Sequence, residues 1–95
     1  MAKPLPKSVL GKMTLSEQKK LATLEKKYDT TGDEMKEAQS AAGKAMRKEM
    51  AAGHVGKHSA PVQRLINKGF KAEFVAFKAA DALRDYKEEM QKKYT

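Results

Sequence analysis

The sequence predicts an all-α protein, a long antiparallel helical hairpin with a flexible N-terminal arm. Three observations predict it. The 95 residues are rich in the helix formers Ala, Lys, Glu and Met. Two apolar series keep a spacing of alternating three and four. A turn with two glycines separates those series. Runs of β-branched or aromatic residues are few, apart from Val75-Ala76-Phe77, which argues against a sheet.

Residues 1–12 carry Pro4, Pro6 and Gly11, a pattern that disfavours a helix. They are expected to form a flexible basic arm, with Val9, Leu10 and Met13 available to tuck against a single helical domain over 13–95. Thr14-Leu15-Ser16-Glu17 has the form of a capping box. It predicts a helix from about residue 14 to about 52. Leu21, Leu24, Tyr28, Thr31, Met35, Ala38, Ala42 and Ala45 line one face of it. Gly32 is the weak point. Thr31-Gly32-Asp33-Glu34 is itself a second capping box, and a break there would give a three-helix bundle instead.

Gly53-His54-Val55-Gly56-Lys57-His58-Ser59 is the interior turn. Ser59 caps a second helix that has Pro61 in its first turn and runs from about 60 to about 93. Val62, Leu65, Gly69, Ala72, Ala76, Ala79, Leu83, Tyr86 and Met90 form its apolar series. Folding the two series on the turn pairs Ala45 with Gly69, Ala42 with Ala72 and Ala38 with Ala76. Helices of this length extend about 50 Å at 1.5 Å per residue.

Phe70, Phe74 and Phe77 do not lie on that seam. They form a neighbouring stripe, with Met46 and Met50 beside the seam of the first helix. A two-helix hairpin leaves these five side chains exposed. They are candidate partner-docking residues, for a second copy or another protein, unless a third helix covers them.

Net charge is +8, which favours acidic partners. Its distribution is uneven. Residues 29–43 carry Asp29, Asp33, Glu34 and Glu37 against Lys36. Residues 44–71 carry Lys44, Arg47, Lys48, Lys57, Arg64, Lys68 and Lys71 against Glu49 alone. These seven cations converge near the closed end of a hairpin and are the candidate nucleic-acid-binding residues. No aromatic residue lies in the turn, so contact with a DNA or RNA phosphate backbone is expected, without base stacking. An acidic protein surface is the alternative partner. That second reading makes the chain a structural or interaction subunit, such as an assembly or virion component or an inhibitor.

Other chemistry finds little support. The chain lacks cysteine, which excludes disulfides and cysteine-based zinc sites. His54 and His58 are four apart but sit in the Gly-rich turn, with no third histidine. No metal or cofactor is expected. The turn departs from a phosphate-binding Walker loop, because Ala51 stands at the first glycine position and His58 follows Lys57. A KH module also sets Gly-x-x-Gly between helices, but its sheet has no counterpart here. Asp81, Arg84 and Asp85, and Glu88-Glu89 with Lys92-Lys93, are expected to pair on the surface. Tyr28 and Tyr86 are expected to pack in the seam with exposed hydroxyls. No carboxylate pair or Ser-His set stands near a predicted apolar pocket. The chain is therefore expected to be no enzyme and to take no small-molecule substrate. No apolar stretch follows Lys3 and Lys7 as a secretory signal needs, and no apolar run approaches the roughly 20 residues of a membrane span, so the expected location is the cytoplasm or a particle assembled there.

Overall fold

A computed structural model describes residues 4–54 and 56–95. Lys3 of the arm and Val55 of the turn lie outside the described residues. The chain forms three helices, α1 (Lys7–Lys12), α2 (Leu15–Ala51) and α3 (Ala60–Lys93). Among the described residues there is no strand. Helices α2 and α3 pack against each other as a hairpin. Among the described residues no helix is long and apolar enough to cross a membrane.

Helix α2 runs through Gly32 without a break, so the three-helix bundle is not formed. The apolar phase explains the continuity. All eight residues of the first series and all nine of the second are buried or half-buried. A break at Gly32 would have thrown Met35, Ala38 and Ala42 out of phase.

The contacts divide the chain into two units. The terminal unit comprises Met1–Thr30 and Phe77–Thr95, and the loop unit comprises Thr31–Ala76.

In the terminal unit, the short arm takes a form that its prolines and Gly11 argued against. Pro6 stands at the N-cap of α1, where no N–H is needed. Its carbonyl accepts from the amides of Val9 and Leu10 at 3.0 and 3.1 Å. The proline thus starts the helix. Leu5, Val9 and Met13 fall on one stripe and join Leu21, Leu83, Tyr86 and Met90 in a core, with Val9 fully buried. The Gln18 amide donates to the Met13 carbonyl at 3.2 Å, closing the turn that links α1 to α2. The capping box is formed. The Thr14 amide donates to Glu17 Oε1 at 2.9 Å, and the Glu17 amide donates to Thr14 Oγ1 at 3.1 Å.

Glu17 does more than cap. Lys93 Nζ donates to its Oε2 at 2.8 Å, and the Tyr94 hydroxyl donates to its Oε1. These donors, Lys93 first, hold its carboxyl down at about 2. Lys93 was expected to pair along its own helix and instead crosses to α2. The Tyr86 hydroxyl, expected to be exposed, donates to the Glu17 carbonyl at 3.1 Å from within the core. Burial raises the pKa of that phenol. Arg84 does pair as expected, with Asp81 at 3.3 Å and Asp85 at 3.5 Å.

In the loop unit, the phase is as expected but the register is slid by one heptad. A Cβ built on Gly69 would lie 3.8 Å from Gln39 Cγ and 3.9 Å from the Ala38 carbonyl oxygen. Gly69 therefore packs on Ala38, one heptad from Ala45. The spacing allows either register, because sliding one heptad series along another returns every seam residue to the seam. What differs is Glu49. In the expected register this residue would face Leu65. In the observed one it reaches the start of α3.

Candidate phosphate-binding flank

The closed end of the loop unit is organised by a helix stop and that carboxylate. Gly53 and Gly56 have φ of 79° and 104°, values that favour glycine. The Gly53 amide donates to the Met50 carbonyl and the His54 amide to the Glu49 carbonyl, both at 3.0 Å. That bond pair is a Schellman stop. Glu49 then bridges to the next helix. Its Oε1 accepts from the Ser59 amide at 2.9 Å, and its Oε2 accepts from His58 Nδ1 at 3.0 Å. These bonds, those from Ser59 first, hold the Glu49 carboxyl at about 2. His54 donates from Nε2 to the Lys57 carbonyl at 2.5 Å. Both histidine side chains thus serve the turn. Among the described residues no three His, Asp or Glu side chains gather as a metal site requires.

The seven candidate cations, Lys44, Arg47, Lys48, Lys57, Arg64, Lys68 and Lys71, are all exposed. Among the described residues none of them forms an ion pair. Glu49, the only acid between residues 44 and 71, is spent on Ser59 and His58. It forms no ion pair with any of the seven cations.

Their arrangement is narrower than a ring around the closed end. Two grooves run along opposite flanks of the α2–α3 seam in the loop unit. One is lined by Glu34, Glu37, Ala38, Ala41, Leu65, Lys68 and Ala72. Helical phase places Lys44 and Lys48 on the stripe of Ala41, and Arg64 and Lys71 on the stripe of Lys68. Five of the seven cations therefore share this flank. Arg47 faces outward, its guanidinium 3.9 Å from where a Cβ of Gly43 would stand. Lys57 lies in the turn. Glu34 and Glu37 close the other end of the same groove, so the flank changes from basic to acidic along its length.

The other groove is apolar. Ala42, Met46, Ile66, Gly69 and Phe70 line it, with Gln39 and Glu73 at one end. The Gln39 amide donates to Glu73 Oε2 at 3.3 Å and closes that end. Of the docking candidates in this unit, Met46 is half-buried while Met50, Phe70 and Phe74 are 74%, 66% and 60% exposed. Phe77 belongs to the terminal unit and is also exposed.

Two contributors escaped the sequence reading. Ile66 follows seam residue Leu65 directly, and that adjacency was the available signal. Glu49 stands four residues beyond Ala45, and that seam spacing was its signal. No family model matches this chain, and neither does any curated protein or solved structure.

Proposed function

We propose that this chain binds nucleic acid through phosphate contacts on the basic flank of the loop unit, with little sequence preference, and that it is not an enzyme. One observation carries the proposal. Helical phase sets five exposed cations of two helices on one flank, with Lys68 lining its groove and Glu34 and Glu37 confined to the far end, and Glu49, the one acid between residues 44 and 71, is already hydrogen-bonded to Ser59 and His58. Lys and Arg held this way displace condensed counterions from a nucleic-acid backbone, which drives binding. No aromatic side chain lines the flank, so bases find no stacking platform there. The proposed setting is the cytoplasm or a particle assembled there.

Titration of labelled duplex DNA and single-stranded RNA at several salt concentrations tests this. Log affinity should fall against log salt with a slope of roughly −3 to −5, as about five phosphate contacts imply. Replacing Lys44, Lys48, Arg64 and Lys68 together with Glu should abolish binding, whereas Arg47→Gln should weaken it about twofold. Binding that ignores salt, or survives the fourfold replacement, would refute the proposal. An acidic protein surface is the second reading, because the same cations would meet carboxylates. Polyglutamate that competes as well as DNA at equal charge would favour it.

A further inference from the structure

The apolar flank of the loop unit lies across the seam from the basic one. The two grooves share no lining residue. We propose that the apolar flank is a self-association surface, and that its occupant is the same flank of a second copy of this chain.

Three features select that occupant. The first is charge. Glu73 is the only ionisable residue lining this groove, and it is hydrogen-bonded to Gln39. An apolar surface whose one carboxylate is already hydrogen-bonded within its own chain gives a strongly charged partner little to pair with, and it suits a copy of itself. The second is segregation. The chain carries +8, so most ways of pairing two copies bring like charges together. Pairing by this flank directs Lys44, Lys48, Arg64 and Lys68 away from the interface and leaves Lys71, three residues before Phe74, at its rim. The third is shape and area. The groove is a recess of about 180 Å³, with room for a large apolar side chain. Met50, 74% exposed, supplies such a side chain from the second copy. An isologous pairing uses recess and knob twice. The exposed parts of Met50, Phe70 and Phe74 amount to roughly 400 Å² of apolar surface per copy. Doubled, and with a polar rim added, this reaches about 1,200 Å², the lower end of specific interfaces. The contact is therefore a reversible one.

Sedimentation equilibrium of the full chain without nucleic acid tests the inference. Over rising protein concentration the mass should move from monomer toward dimer. The shift should persist or strengthen on going from low to high salt, because apolar burial is not screened. Met50→Glu and Phe70→Glu should each return the protein to monomer with unchanged helical circular dichroism, since both side chains are mostly exposed. Lys68→Glu should leave the dimer intact, so failure here is separable from failure of the nucleic-acid reading. A monomer at every concentration overturns the inference. So does a dimer that dissolves in salt, or one that Lys68→Glu breaks and Phe70→Glu does not. A monomer that instead co-sediments with phosphatidylglycerol vesicles, dependent on Phe70, overturns it in favour of a lipid surface.

Discussion

Replacing Gly32 and Gly69 with alanine should stabilise the protein, and replacing Gly53 should not. Gly32 lies inside α2 and Gly69 inside α3, and both have negative φ. A glycine within a helix costs about 1 kcal/mol relative to alanine. Whether that gain is realised depends on the space for a methyl group. At Gly32 a Cβ meets nothing within 4 Å, and at Gly69 its nearest neighbours lie at 3.8 and 3.9 Å, ordinary van der Waals contact. Each substitution should therefore add about 1 kcal/mol. Gly69 packs on Ala38, six residues from Gly32 and about 9 Å along the helix at 1.5 Å per residue, so the two gains should add. The pair should raise the thermal midpoint by about 8–16 °C. At Gly53, with φ of 79°, the same methyl clashes with its own backbone, and Gly53→Ala should cost about 1–2 kcal/mol. Thermal melting followed by circular dichroism reads all three variants. A loss of stability in Gly69→Ala would mean that the helices approach more closely there than the structure has them. The register argument would fall with it.

Val9 is fully buried in the terminal core, so Val9→Ala should cost about 2–3 kcal/mol in urea unfolding. An effect within a few tenths of a kcal/mol would show that α1 does not dock. Glu17 and Glu49 both have folded-state pKa values near 2, below their ordinary 4.5. Each therefore contributes stability that is fully present above about pH 4.5 and is lost as pH falls toward 2. The thermal midpoint should drop across that window. The double variant Glu17→Gln/Glu49→Gln should flatten the drop while lowering the midpoint at pH 7. An equally steep acid limb in that variant would assign the loss to other carboxylates.

The helices were legible because apolar spacing is a repeated signal. Seventeen seam positions agree on phase, so Gly32 and Gly69 did not interrupt it. The arm was misread for a local reason. Two prolines disfavour a helix that contains them, but Pro6 precedes α1 and supplies its first acceptor. The cations were legible as a group and their placement was not. The exposed Met50, Phe70 and Phe74 were legible as residues that the seam leaves over. That the apolar and basic sets occupy opposite flanks emerges only when both helices are placed.

The register required information of a different kind. A heptad series fixes which face of each helix is buried and leaves the helices free to slide by seven residues. In each unit the choice is made by one glutamate at seam spacing, just outside one end of the apolar series of α2. In the terminal unit this is Glu17, four residues before Leu21, which gathers Lys93, Tyr94 and the Tyr86 hydroxyl. In the loop unit it is Glu49, which meets Ser59 and His58. Slid by one heptad, Glu49 would set its carboxylate against Leu65, and an unpaired carboxylate packed on aliphatic surface is strongly disfavoured. The apolar residues make the pairing favourable, and the carboxylates make it unique. The same placement commits Glu49, the one acid between residues 44 and 71, to Ser59 and His58 and leaves it in no ion pair with the seven cations. Register and the candidate phosphate site therefore depend on a single side chain. Glu49→Leu should loosen the first and, by freeing the helices to slide, weaken nucleic-acid binding despite raising the net positive charge. Tighter binding in Glu49→Leu, as charge alone would give, would break that link.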